Sequence, residues 1–182
     1  MKKIFLVNGS PNKDGNTADA LRVVEGVLKE NDLDTFWFHL GKSPVHGCVN
    51  CRYCAKVHRC AFRDDLCNEL IEGFLEADGI IVGTPVYFAG PNGALCALLD
   101  RVFYATANFG QMLKDKPAAA VATCWRAGAT PSIDRLNKYF MYSQMPVVSS
   151  DYWNGYLGSR DGFGTGVLRT LGENMAAMVQ GM

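Results

Sequence analysis

Residues 3–17 read Lys3-Ile4-Phe5-Leu6-Val7-Asn8-Gly9-Ser10-Pro11-Asn12-Lys13-Asp14-Gly15-Asn16-Thr17. The apolar run Lys3–Val7 breaks off at Asn-Gly-Ser-Pro, as a strand does when it leaves into a loop. From Thr17 onward Leu21, Val24 and Leu28 recur at spacings of three and four, which predicts a helix. Strand, polar turn-rich loop, helix is the opening unit of an α/β domain.

The same alternation continues downstream. Phe36, Phe38 and Leu40 alternate within 33–40 and predict a second strand. Residues 41–63 carry no periodicity and read as a long ordered loop. A short helix follows over 64–76. Gly79-Ile80-Ile81-Val82-Gly83-Thr84 is a continuous apolar run, as expected of a strand buried on both faces. Residues 85–92 form a turn-rich loop. A helix over 93–105, a buried strand over 117–124, a helix over 133–145, a last strand over Pro146–Ser150 and a final helix over 161–180 complete the pattern. The prediction is an α/β fold: one domain over 1–182, a doubly wound five-stranded parallel sheet and a cysteine-rich loop after strand 2. In such sheets ligands sit at the carboxyl ends of the strands.

Composition bounds the function. Among 182 residues, 18 Lys+Arg balance 18 Asp+Glu, and 48% are hydrophobic. A chain of this size buries roughly 70% of its unfolded surface, enough for a core without staples. Zero net charge argues against a general nucleic-acid binder or a binder of anionic membranes. No apolar stretch approaches the roughly 20 residues of a membrane span. The first apolar run is too short for the core of a signal peptide, so a cytoplasmic protein is expected. Seven cysteines in a reducing compartment need a reason other than secreted disulfides.

The loop after strand 1 meets a helix N-terminus and is rich in Ser, Asn, Thr and Gly. Unpaired backbone N–H groups and the helix dipole make it a ready anion site. Ser10, Asn12, Asn16 and Thr17 are placed to complete a phosphate shell. It is no P-loop, since five residues separate Gly9 from Gly15 and Asn16 stands where the lysine belongs. The G-x-G-x-x-G dinucleotide loop is absent as well, and Gly162–Gly166 reads as a flexible turn. After strand 3, Pro85, Val86, Tyr87 and Phe88 combine rigid turns with aromatic rings, suited to a planar ligand. After strand 4, Trp125, Arg126, Ala127 and Gly128 add a cation and backbone donors.

These three loops, with Leu98-Leu99-Asp100-Arg101, resemble the NAD(P)H-dependent FMN reductases and multimeric flavodoxins over nearly the whole chain. The resemblance implies a flavodoxin-like sheet of order 2-1-3-4-5 with bound FMN. It implies that Ser10, Asn12, Asn16 and Thr17 hold the FMN phosphate. Pro85, Val86, Tyr87 and Phe88 would line the isoalloxazine, and Arg126, Ala127 and Gly128 the third FMN-facing loop. Tyr87 and Arg126 are the candidates for tuning the flavin. No catalytic acid, base or nucleophile is assigned, because the cofactor carries the chemistry.

Cys48, Cys51, Cys54 and Cys60 give C-x2-C-x2-C-x5-C. So compact a run suits an iron–sulfur cluster better than zinc, which usually takes two separated pairs. Free or disulfide-forming thiols remain an alternative, as does zinc. Residues 41–63 hold five Lys/Arg (Lys42, Arg52, Lys56, Arg59, Arg63) and no Asp or Glu. That excess would stabilise an anionic cluster or steer an acidic electron carrier. The motif in this place resembles the iron–sulfur flavoproteins, a branch of the same family with one [4Fe–4S] cluster beside FMN. His46 and His58 receive no ligand role, and Cys67, Cys96 and Cys124 read as buried apolar residues.

The expected function is an FMN-dependent oxidoreductase or electron-transfer protein. It would move electrons between NAD(P)H, or a reduced carrier such as a ferredoxin, and a small-molecule or protein acceptor, with the [4Fe–4S] cluster as relay. The alternatives are a cluster-free FMN reductase-like enzyme and a cysteine-based redox-sensing or binding module. A homo-oligomer, dimer or tetramer, is expected from the resemblance. Met141, Tyr142, Met145, Tyr152, Trp153 and Tyr156 are its candidate interface, with ordinary core as the other reading.

Overall fold

The computed structural model describes residues 1–182. In chain order its elements are β1 (Lys3–Asn8), α1 (Asn16–Glu30), β2 (Asp34–His39), α2 (Cys54–Val57), α3 (Cys67–Glu76), β3 (Gly79–Tyr87), β4 (Gly90–Pro91), α4 (Gly93–Thr106), β5 (Ala118–Thr123), α5 (Ala129–Tyr142), β6 (Gly155–Tyr156) and α6 (Gly162–Gln180). The sheet runs β2-β1-β3-β5-β6, with β4 folded back antiparallel on β3. Leu6 stands between Trp37 and Ile81 in the parallel ladder, and Ile81 faces Ala119 beyond it. Setting aside the β4 hairpin, this is the expected 2-1-3-4-5 order.

The sheet has an apolar layer on each face. On one, Leu21, Val24 and Leu28 of α1 and Leu168, Leu171 and Met175 of α6 cover Ile4, Leu6 and Ile81. On the other, α3, α4 and α5 bring Leu70, Phe74, Leu98, Val102, Leu136 and Phe140 onto Phe5, Val7, Ile80 and Val82. Every residue of β5 is buried. That explains its run of alanine and valine up to Thr123, since small side chains let helices approach an inner strand from both sides. Lys116 donates to the carbonyls of Phe74 (3.0 Å), Leu75 (2.5 Å) and Ala77 (2.7 Å), closing the C-terminal end of α3.

Two expectations need correction. Pro146–Ser150 is not the last strand. Val147 makes a single bridge to Ala118, and Ala118 N donates to Pro146 O while Val148 N donates to Ala118 O. The chain then leaves the sheet and returns only at β6. Between these points Asn154 Nδ2 donates to Ala120 O at 3.0 Å, a side chain doing what a strand backbone would do. Pro146 lacks an N–H and Ser149-Ser150-Asp151 favours a turn, so the ladder cannot continue there. The second correction is Gly162–Gly166, which forms the first turns of α6. Asp161 caps them, its Oδ1 accepting from Gly164 N at 2.8 Å. No helix is long and apolar enough to cross a membrane.

Candidate functional site

The loop after β1 is fixed from beneath by a side chain that sequence reasoning misses. Asn8 is buried at the end of β1. Its amide donates to the carbonyls of Asn12 (3.4 Å) and Lys13 (3.3 Å), and its Oδ1 accepts from Ser10 N (3.1 Å). Asn92, also buried, has the same role in the neighbouring loop. It donates to Gly9 O (3.0 Å), accepts from Ala94 N (2.9 Å), and its own N–H reaches Thr84 Oγ1 (3.0 Å). Gly9 fits only as glycine, because a Cβ there would lie 2.7 Å from Gly83 O. The loop is thus pressed against β3 and its shape is set before any ligand arrives.

Above it α1 begins without a side-chain cap. The N–H groups of Asn16, Thr17 and Ala18 have no acceptor within the chain. Three orphan donors at the positive end of a helix dipole form an anion site. A cleft of about 290 Å³ opens at this end of the helix, beside Gly15 and Asn16. It is lined by Ser10, Asn12, Gly15, Asn16, Pro85, Val86, Tyr87, Thr123, Cys124, Trp125 and Leu157.

Six of the eleven predicted cofactor residues therefore meet in one cleft: Ser10, Asn12, Asn16, Pro85, Val86 and Tyr87. Thr17 is buried and does not line the cleft; its hydroxyl is bonded to Thr123 Oγ1 at 2.8 Å, which leaves its unpaired backbone N–H as the group it could offer an anion. Phe88 stands fully exposed at the tip of the β3–β4 hairpin. Arg126 is exposed with its guanidinium 5.5 Å from the Trp125 ring centre, and Ala127 is exposed beside it. Gly128 has φ +92, and a Cβ on it would meet Val86 Cγ1 at 2.7 Å and Ala89 Cα at 2.8 Å. It is the contact through which the third loop packs on the second. Cys124 and Leu157 are cleft residues not expected from the sequence. Burial pushes the Cys124 thiol above its ordinary range.

The cysteine loop forms a second site beside α4. Cys48, Cys51, Cys54 and Cys60 all line one cavity, together with Val49, Arg52, Ala61, Phe62, Arg101 and Tyr104. The backbone turns sharply between them, with Asn50 (φ +51), Arg52 (φ +58) and His58 (φ +53) in the left-handed region. Asparagine tolerates this region, but Arg52 and His58 each cost about 1–2 kcal/mol, and strain of this kind collects at ligand clamps. No three His, Cys, Asp or Glu side chains are drawn together as a single metal ion requires. Thiolates on one zinc would stand about 3.8 Å from each other. Burial raises the Cys54 thiol, and the nearness of Cys51, Cys60 and Cys48 adds to it.

The cavity is anchored by a buried ion pair. The side chains of Arg101 and Asp65 are 2% and 1% exposed. The guanidinium grips both carboxylate oxygens, with Nη2 to Oδ1 at 2.9 Å. It also donates to His46 O (3.0 Å) and, through Nε, to Cys60 Sγ (3.2 Å). Burial opposes the charge on Asp65, but the Arg101 hydrogen bonds and the N–H groups of His46 and Cys67 outweigh it and hold the carboxyl below its usual range. Cys67 is buried as expected, yet it sits against Cys60, and burial pushes its thiol up to about 12.

Residues 2–156 match the family of the NADPH-dependent FMN reductases. The chain belongs to that family. Among its relatives is an iron–sulfur flavoprotein of Methanocaldococcus jannaschii, 28% identical over 98% of this chain and 97% of that protein. An iron–sulfur flavoprotein of Methanosarcina thermophila is 30% identical over 82% of this chain and 78% of its own length. A flavodoxin from the domain Archaea shares the fold at a TM-score of 0.66, with 14% identity and 99% of both chains covered. In this chain the cleft above α1 lies at the carboxyl ends of β1, β3 and β5, where open α/β sheets bind their ligands.

Proposed function

We propose that this chain is an FMN-dependent oxidoreductase that moves electrons between NAD(P)H or a reduced carrier and an acceptor, by way of a [4Fe–4S] cluster on Cys48, Cys51, Cys54 and Cys60. The observation that carries the reading is that two sites of the right chemistry are joined through one continuous segment, the β3–β4 hairpin and α4. α4 starts at the hairpin beside the cleft and presents Arg101 and Tyr104 to the cysteine cavity. From Gly93 to Arg101 is about 12 Å along the axis.

The residues present fit both groups. The orphan N–H groups of Asn16, Thr17 and Ala18 would take the FMN phosphate, with Ser10, Asn12 and Asn16 side chains around it. Pro85, Val86 and Tyr87 would wall one side of the isoalloxazine, and Cys124 and Trp125 the other. FMN, when bound, supplies hydride and single-electron chemistry at that ring. The chain's task is to hold the ring, keep bulk water from its walled faces and fix the loops through Asn8 and Asn92. At the second site, four thiols on one apolar cavity, turned by three left-handed residues, suit a cluster whose ligands stand farther apart than those of one zinc ion. What favours a cluster-free reductase as second reading is that no three ligands converge on a point.

Lys42, Arg52 and Lys56 are exposed and make no ion pair, whereas Arg59 is paired with Glu72. This basic rim suits an acidic electron carrier such as a ferredoxin. Met141, Tyr142, Tyr152 and Trp153 are exposed and suit an interface between copies, while Met145 and Tyr156 are core. A cytoplasmic location completes the reading.

The test is anaerobic purification of the full chain, an absorption spectrum, and iron and sulfide assays. Flavin bands with about four iron and four sulfide per chain are expected. Flavin without iron leaves the cluster-free reductase. A chain that takes up neither overturns both.

A further inference from the structure

We propose that Arg101 is a positioning residue that raises the reduction potential of the cluster by donating its Nε–H to Cys60 Sγ. The role rests on the cluster reading above. An ion pair with Asp65 alone would need only the two terminal nitrogens of the guanidinium. Here the remaining donor is turned onto a thiol at 3.2 Å, and the fork is locked so that it cannot turn away. His46 O holds Nη1 at 3.0 Å, and the Phe62 ring lies 5.2 Å from the guanidinium carbon. Lysine, with one nitrogen, could not make these directed contacts at once.

A hydrogen bond to a ligating sulfur favours the more negative, reduced state, and does so more strongly in a dry site. Asp65 matters to the sign. Its carboxylate balances the guanidinium, so the cluster feels a directed N–H and little net charge. The two residues therefore make separable contributions. Removing both takes away the hydrogen bond without changing the net charge. Removing only the carboxylate leaves the hydrogen bond and uncovers a positive charge.

The experiment is a redox titration of the reconstituted full chain, followed by paramagnetic resonance for the cluster and by absorption for the flavin. The double variant Asp65→Asn/Arg101→Gln keeps a neutral, hydrogen-bonding pair in the buried space. Its cluster midpoint should move to a more negative potential, with the flavin midpoint unchanged. Asp65→Asn alone should move the cluster midpoint the other way. A loaded double variant that titrates with wild type overturns the role of Arg101 and leaves the cluster reading standing. If the double variant takes up no iron, Asp65→Asn decides, and a midpoint at or below wild type overturns the role. A wild-type chain that takes up no iron overturns the cluster reading and this role with it.

Discussion

Arg101 and Asp65 lie 36 residues apart in the chain and meet with almost no exposed surface. Removing one partner strands the other in a medium that does not solvate it. Arg101→Met is expected to cost about 3–5 kcal/mol of stability, measured by urea unfolding. The pair also sets an acid limit. Asp65 titrates lower folded than unfolded, so its contribution is present above about pH 4 and is lost as pH falls through the lower folded value. Wild type should lose a stability increment below about pH 4 that Asp65→Asn does not lose, read as urea midpoints against pH. None of this is legible in the sequence. Arg101 stands in a recognised motif and Asp65 falls in the first turn of a predicted helix, but nothing in local spacing pairs residues so distant. Asn8 and Asn92 escape notice for a related reason. A buried asparagine looks like any loop asparagine until the carbonyls it must satisfy are placed around it.

The β3–β4 hairpin turns through Phe88 (φ +49) and Ala89 (φ +59), two residues with side chains in a conformation that suits glycine or asparagine. Ala89→Gly is expected to gain about 1 kcal/mol by relieving that strain, seen as a higher melting temperature. Gly128 presents the reverse case. Gly128→Ala meets both a positive φ and the hairpin backbone, and should cost about 1–3 kcal/mol and weaken FMN retention in a dialysis assay. The elements with strong periodicity are legible: α1 from Leu21, Val24 and Leu28, and β3 from its apolar run. The hairpin is not, since Tyr87-Phe88-Ala89-Gly90 carries only one of the glycines that usually mark such a turn. Nor is the interrupted fifth strand. Pro146-Val147-Val148 has the composition of a strand, and the turn signal in Ser149-Ser150-Asp151 does not say that the chain returns to the sheet through the Asn154 side chain and β6.

For the whole molecule, the alternation of strands and helices and the position of the cleft follow from pattern and topology, because a parallel sheet leaves few places for a ligand. The surface does not follow, since exposure depends on which residues the helices cover. Met145 and Tyr156 go to the core while Trp153 stays outside. The basic rim makes a prediction at this scale. Reduction by, or of, an acidic ferredoxin should slow steeply between low and physiological salt, and Lys42→Glu/Lys56→Glu should flatten that dependence in stopped-flow measurements. The broken strand at the far edge of the sheet has a different consequence. An uninterrupted edge would offer a row of unpaired amides on which a foreign strand could build. Here the outermost ladder is a lone bridge, an asparagine side chain and two residues, and the exposed rings of Tyr152 and Trp153 lie in the segment between the bridge and β6. The molecule can carry a sticky surface there without giving fibrils a template.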